Sequence, residues 1–183
     1  LLREGSIVDA SIISAPTSTK NKARQRDPDM HQTKKGNSWH FGMKLHIGVD
    51  DALGLIHSIA TTSANVHDIT QADKLLHGKE ECIWGDAGYR GIEKREEHQH
   101  RQVDWFIAMR PGTRRLLAKN SDAGKVEFRK SQIRTKVEHS FRYIKRVFGY
   151  DKVRYRGLAK NTNRLHLLAG FTNLMVSKKY LLS

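Results

Sequence analysis

Cysteine is nearly absent from this sequence, because Cys82 is the only one among 183 residues. A single thiol excludes a disulfide framework and a multi-cysteine zinc site, and it indicates a reducing compartment. Long hydrophobic runs are also missing. The most apolar stretch near the end, 165–176, is too short to span a bilayer and is interrupted by His166, Thr172 and Asn173. No signal peptide is visible at the start.

Acidic residues are scarce as well: 19 Asp and Glu stand against 33 Lys and Arg, a net charge of +14. The excess is clustered, since 110–160 carries a net +12 and 15–38 a net +4. Clustered cationic charge is typical of a protein that binds a polyanion, usually nucleic acid. A solvated basic face is the alternative. An anionic membrane is a weaker one, because no long amphipathic basic helix stands apart from the core pattern.

The length suits one domain, which we place at 1–183. β-Branched and alternating apolar runs predict strands at 6–13, 39–50, 55–61, 81–84 and 104–109. Helices are predicted at 69–76, 91–101, 133–148 and 161–182, and 15–38 reads as a long loop. A three-strand meander followed by alternating helix and strand predicts an α/β fold, a mixed sheet with flanking helices.

Three carboxylates are the candidates for chemistry: Asp9, Asp86 and Glu138. Asp9 lies inside an apolar strand, where an unpaired carboxylate is costly. Asp86 follows a buried strand, and Glu138 lies on the helix 133–148. If the three converge at one end of the sheet, they would hold two Mg²⁺ or Mn²⁺ ions suited to phosphodiester displacement.

Spacing alone leaves plainer alternatives open for each acid. An Asp at a strand end is usually a turn or cap residue, and a Glu near Arg134 and Lys145 on a helix is usually in a solvated ion pair. Asp50, Asp51 and Asp68 are equal contenders for the metal. Asp68 also fits a helix N-cap.

Other residues carry weaker signals. We interpret His98 and His100 as surface histidines and Cys82 as a buried, inert strand residue. Lys34, Lys35 and the loop 17–26 are expected to contact the DNA backbone without reading bases. The run 150–156 interleaves aromatic residues with cations and would bind phosphates or an unstacked base, or form a solvated edge.

An ordered set of short motifs resembles one family. The motifs are Ile7-Val8-Asp9-Ala10-Ser11, Trp39-His40-Phe41-Gly42-Met43-Lys44, Ala64-Asn65-Val66-His67-Asp68, Gly85-Asp86-Ala87-Gly88-Tyr89-Arg90-Gly91, and the helix segment from Arg134 through Glu138 to Lys145. Together they resemble the catalytic domain of DDE-class bacterial insertion-sequence transposases, in the insertion-sequence-five group. The resemblance covers essentially the whole chain.

The resemblance implies an RNase H-like fold with Asp9, Asp86 and Glu138 as the metal-binding, catalytic triad. It implies contacts of Arg134 and Lys145 with transposon-end phosphates. The tyrosine of the family's helix signature is missing, since Ser131 occupies its position. Further DNA-contacting candidates, taken from the basic clusters, are Lys34, Lys35, Arg142, Arg154 and Arg156.

The expected activity is therefore metal-dependent cleavage at transposon ends, followed by transfer of the freed 3′-OH into target DNA. Double-stranded DNA is the expected partner, bound by a homo-oligomer in the bacterial cytoplasm or nucleoid. Because the chain starts at Leu1, eight residues before Asp9, we expect an N-terminal helical region to be missing. Two alternatives remain: an RNase H-like nuclease that cuts without joining, and a truncated, non-catalytic DNA-binding fragment.

Overall fold

A mixed six-stranded sheet forms the centre of the computed structural model, which describes residues 4–22 and 24–181. The strands are β1 (Gly5–Ser14), β2 (His31–Lys35), β3 (Ser38–Asp50), β4 (Ile56–Ser63), β5 (Cys82–Gly85) and β6 (Asp104–Ile107). Central β1 pairs antiparallel with β3 and parallel with β5, and β6 extends the parallel side. The other side of β3 completes the meander with β4. The predicted α/β class is confirmed, in the arrangement expected of an RNase H-like fold.

Strand β1 is apolar on both faces because each face meets its own core. Ile7 and Ile13 pack in a cluster with residues of the two long helices, whereas Val8 packs in a second cluster around Leu75 and Ile83. All five side chains are completely buried. A strand buried on both faces reads as a continuous apolar run, which is why the interruption at Asp9 is so visible in the sequence.

Three α-helices and several short helical turns cover the sheet. The α-helices are α1 (Pro111–Arg114), α2 (Asp122–Arg142) and α3 (Leu158–Leu181). A π-helical turn, Tyr143–Val147, continues α2, and 3₁₀ helices lie at Asp68–Leu75, Ala87–Tyr89, Ile92–Lys94 and Glu96–His98. The helix predicted at 133–148 thus begins at Asp122, where the Ser121 hydroxyl caps it by accepting the Gly124 N–H at 3.1 Å.

The helix predicted at 91–101 was wrong, since that segment forms only two 3₁₀ turns, Ile92–Lys94 and Glu96–His98. The predictions for 15–38 and for His98 were also wrong. The loop 15–38 contains β2, which pairs with the start of β3 through Lys34 opposite Trp39. The side chains of β2 are mostly exposed on both faces, so no alternation marks it in the sequence. His98 is not a surface residue: it is 1% exposed, and its ring packs edge-on against Trp105 at 5.5 Å. A short 3₁₀ turn directs this one side chain inward from a polar segment.

Among residues 4–22 and 24–181, no helix is both long enough and apolar enough to cross a membrane.

Candidate functional site

One cleft of about 700 Å³ brings the three predicted carboxylates together. Asp9 reaches it from β1, Asp86 from the end of β5 and Glu138 from α2. The other charged residues of the lining are mostly cations. They are Lys34, Lys35, Lys44, Arg134, Arg142, Lys145 and Arg146, together with one further acid, Asp68.

Asp9 is the most constrained of the three acids. Its Oδ1 accepts the Ala10 N–H at 2.7 Å, and its Oδ2 lies 3.2 Å from Nη2 of Arg134. The pKa of Asp9 is raised from 3.8 to about 6, mainly by burial; Arg134 opposes the shift, and the nearby charges of Asp86 and Glu138 add to it. Burial therefore makes the ionised form of Asp9 costly, and the carboxylates of Asp86 and Glu138 add to that cost.

Asp86 is positioned by the turn that follows β5. Its Oδ1 accepts the Gly88 N–H at 2.7 Å, which caps the 3₁₀ helix Ala87–Tyr89. A Cβ on Gly88 would stand only 2.9 Å from that oxygen, so glycine allows the carboxylate to fold back onto its own turn. Asp86 therefore has the turn or cap role that is usual for an Asp at a strand end, and it also lines the cleft.

Glu138 is exposed, and α2 fixes where it points. The preceding residue, Val137, is completely buried against the sheet, so Glu138 lies at the border between core and solvent. Arg134 lies one turn earlier on the same helix and contacts Asp9. The helix therefore presents a carboxylate and a guanidinium to the same cleft.

The structure does not contain a closed metal cage. Among the described residues, no three His, Cys, Asp or Glu side chains are close enough together to hold an ion. Arg134 supplies the positive charge at Asp9 instead. The donor chemistry nevertheless fits Mg²⁺ or Mn²⁺, since these ions prefer hard carboxylate oxygens and three predicted carboxylates line the cleft.

Several of the predicted DNA-contacting cations line this cleft. Lys145 is anchored, since its Nζ donates to the Ile12 carbonyl oxygen at 2.7 Å. Burial lowers the pKa of Lys145, and neighbouring Lys35 lowers it further. Lys34, Lys35 and Arg142 are exposed at the rim. Together with Arg134, these four cations line the cleft that holds the carboxylates.

Arg154 and Arg156 are located elsewhere. They line a separate cleft of about 410 Å³ with Tyr155, Lys20 and Arg26. The Asp27 and Asp29 carboxylates beside it accept the Gly157 and Leu158 N–H groups, which fixes the start of α3.

Sequence reasoning treated Asp50, Asp51 and Asp68 alike, and the structure separates them. Asp50 accepts the Leu53 N–H and Asp51 accepts the Trp84 Nε1–H, both away from the cleft. Asp68 lines the cleft and makes no side-chain cap, so the expected N-cap role was wrong; its Oδ1 instead lies 2.9 Å from Nζ of Lys44.

Sequence reasoning missed two charged residues of the cleft, Lys44 and Arg146. The available signal for Lys44 was its position between Met43 and Leu45 in the alternating strand β3, which turns it away from their buried face.

A family model described as a transposase DDE domain matches residues 1–174. No solved structure matches this chain.

Proposed function

Since the chain belongs to the transposase DDE domain family, we propose that it cleaves DNA at transposon ends and joins the freed 3′-OH to target DNA. Transposase function and DNA as the partner follow from the family itself. The finer steps, the insertion-sequence-five grouping and the roles of individual residues belong to the proposal.

One observation carries it: Asp9, Asp86 and Glu138, which are far apart in sequence, line the same cationic cleft. Carboxylates alone would repel DNA, and cations alone would bind it without chemistry. A cleft that combines the two suits a phosphodiester that must be both held and broken. The charge of +14 supports binding of a polyanion over a wider surface.

Asp9, Asp86 and Glu138 are the residues that would hold two Mg²⁺ or Mn²⁺ ions. When bound, such ions supply Lewis-acid chemistry to the attacking and leaving oxygens of an in-line displacement. Arg134 and Lys145 would hold non-bridging phosphate oxygens, and the tether of Lys145 to Ile12 fixes its direction. Arg134 would have to leave Asp9 as that carboxylate takes up a cation, which frees the guanidinium for phosphate.

The reaction would consist of two displacements at phosphorus. Water attacks the phosphodiester at the element's end and releases a 3′-OH. That hydroxyl then attacks a phosphodiester of target DNA, and the displaced target 3′-oxygen leaves. No covalent protein–DNA intermediate is needed, so no nucleophilic side chain is assigned. We expect the domain to act as a homo-oligomer on DNA, which light scattering of the complex would test.

Calorimetric titration with Mn²⁺ tests the shared site. The unaltered chain should bind, Asp86→Ala and Glu138→Ala should not, and Glu96→Ala, which removes an exposed carboxylate outside the cleft, should bind normally. If the unaltered chain fails to bind, the titration is repeated with DNA present, because substrate phosphates often complete such sites. A second failure would exclude the catalytic role for this chain.

Products from labelled DNA in Mg²⁺ then separate the alternatives. Strand-transfer products support the transposase reaction. Hydrolysis without joining would indicate a nuclease, and binding without cleavage would indicate a non-catalytic DNA-binding fragment.

A further inference from the structure

The side chain of Lys44 is held in one direction by two contacts. Its Nζ donates to the Val66 carbonyl oxygen at 2.6 Å and lies 2.9 Å from Oδ1 of Asp68. The side chain is only 13% exposed, yet it lines the cleft. An ammonium group has three N–H donors, and only the Val66 carbonyl oxygen accepts one with hydrogen-bond geometry, so two protons remain for a ligand in the cleft.

Lys44 approaches the cleft from the face of the sheet opposite to α2. In the antiparallel pairing of β1 and β3, Lys44 stands opposite Ile12, and Asp9 stands opposite Ile47. Paired residues of antiparallel strands point to the same face, so Lys44 shares a face with Ile12. Side chains alternate along a strand, and Ile12 is three residues from Asp9, so Lys44 and Asp9 point to opposite faces. Arg134 comes from α2 and contacts Asp9, so it lies on the other face from Lys44. The cleft therefore has anchored cations on both sides of β1.

We propose that Lys44 binds a phosphate group of the DNA strand in the cleft, and that Asp68 is its positioning residue. This inference rests on the proposed function and adds a phosphate contact on the side of the sheet that α2 does not reach. A backbone that passes over Asp9 would be held by Arg134 on one flank and by Lys44 on the other.

The surroundings of Asp68 fit a positioning role. Its Oδ1 faces Lys44 and, at 3.8 Å, the Nδ1 atom of His46, a side chain that is completely buried. The contact with Lys44 has ion-pair distance without hydrogen-bond geometry, so Oδ1 has no hydrogen-bond donor. Asp68 therefore directs the ammonium group by charge and leaves its protons available. Its Oδ2 lies on the side of Gly88 and the Asp86 turn, 3.9 Å from where a Cβ on Gly88 would stand.

The test is the salt dependence of DNA binding in EDTA, measured by fluorescence anisotropy with a short mixed-sequence duplex. No metal and no cleavage are involved. Lys44→Met keeps the length of the stem and removes the charge. It should weaken binding about tenfold, as expected for a lost charge-assisted hydrogen bond. The slope of log K against log salt should become shallower by up to about one. Lys79→Ala removes an exposed lysine outside the cleft and is the matched control, with an unchanged slope expected.

Asp68→Asn separates positioning from simple packing. It should leave the salt slope unchanged, because Lys44 keeps its charge, and it should lower the cleavage rate in Mg²⁺, because the ammonium group is no longer directed. A purely structural ion pair would instead give equal losses of thermal stability in Lys44→Met and Asp68→Asn with an unchanged slope in both. That outcome would overturn the inference and leave the proposed function intact.

Two further results keep the test decisive. If Lys44→Met does not fold, as judged by circular dichroism, Lys44→Gln and the charge-retaining Lys44→Arg replace it, and only the uncharged variant should lose the slope. If the unaltered chain does not bind the duplex at low salt, the proposed function fails and this inference fails with it.

Discussion

Replacing Asp9 with Asn should make the protein more stable at neutral pH while removing the proposed DNA cleavage. The pKa of Asp9 is 3.8 in an unperturbed chain and about 6 in the folded protein, with burial as the main cause. The folded state therefore binds the proton more tightly than the unfolded state. The resulting stabilisation is complete below about pH 3.8 and is lost as the pH rises through about 6. Above that range, ionised Asp9 destabilises the fold.

The size of the pKa shift of Asp9 sets how much stability its ionisation costs. At 1.36 kcal/mol per pKa unit, ionisation of Asp9 costs about 3 kcal/mol above pH 6. The side chain is only 13% exposed, so solvent screening does not remove this cost. Asn resembles the protonated acid in shape and carries no charge. In a chain of this length, about 3 kcal/mol corresponds to a rise in Tm of roughly 6–12 °C.

Thermal unfolding followed by circular dichroism at about pH 7.5 and about pH 4 checks this, with equal Tm values for Asp9→Asn and the unaltered protein expected at the acidic pH. The exposed Asp151→Asn is the control and should change stability by less than about 0.5 kcal/mol. Mg²⁺ should raise the Tm of the unaltered protein and not that of Asp9→Asn. A variant that is less stable at neutral pH, or an equal gap at both pH values, would refute the reasoning.

Two further predictions concern buried groups outside the triad. Burial lowers the pKa of His46 from 6.5 to about 4, so stability should fall as the pH drops through this range, and His46→Gln should remove that part of the pH dependence in urea unfolding. Glu127 is 2% exposed, accepts the Met109 N–H at 3.0 Å and pairs with Lys130 at 2.8 Å. Glu127→Ala should cost about 3–5 kcal/mol in urea unfolding, because the mostly buried Lys130 ammonium group loses its counter-charge and keeps only the Ile107 carbonyl oxygen; a loss under about 1 kcal/mol would contradict this.

Much of the fold could be predicted because its central strands leave clear patterns. β1 is rich in β-branched apolar residues on both sides of Asp9, and β3 alternates over most of its length. Both were predicted within a residue or two of their observed bounds. The same pattern exposed Asp9 as a candidate, since a carboxylate in an otherwise buried strand needs a reason. Strand ends and helix spacing made a convergence of Asp9, Asp86 and Glu138 possible, and the resemblance to DDE transposases singled them out from the other candidate acids.

What the sequence could not reveal depends on contacts between distant segments. Strand β2 shows no alternation because neither of its faces is buried. The orientation of Lys44 depends on a carbonyl and a carboxylate more than twenty residues later, at Val66 and Asp68. Arg154 and Arg156 follow the cleft residues closely in sequence, but they lie in another cleft because the chain turns at Gly149 (φ 64°) before α3.

The central position of β1 has a consequence for biosynthesis. β1 precedes the other strands of this sheet in the chain, so both of its edges stay unpaired during synthesis until β3 and then β5 have followed. Until then an apolar strand exposes free N–H and C=O groups, which favours pairing with other chains. The parallel pair with β5 also closes a long loop and should form slowly. Incomplete chains are therefore expected to aggregate or recruit chaperones, and chains that stop before β5 should lack the second carboxylate of the cleft.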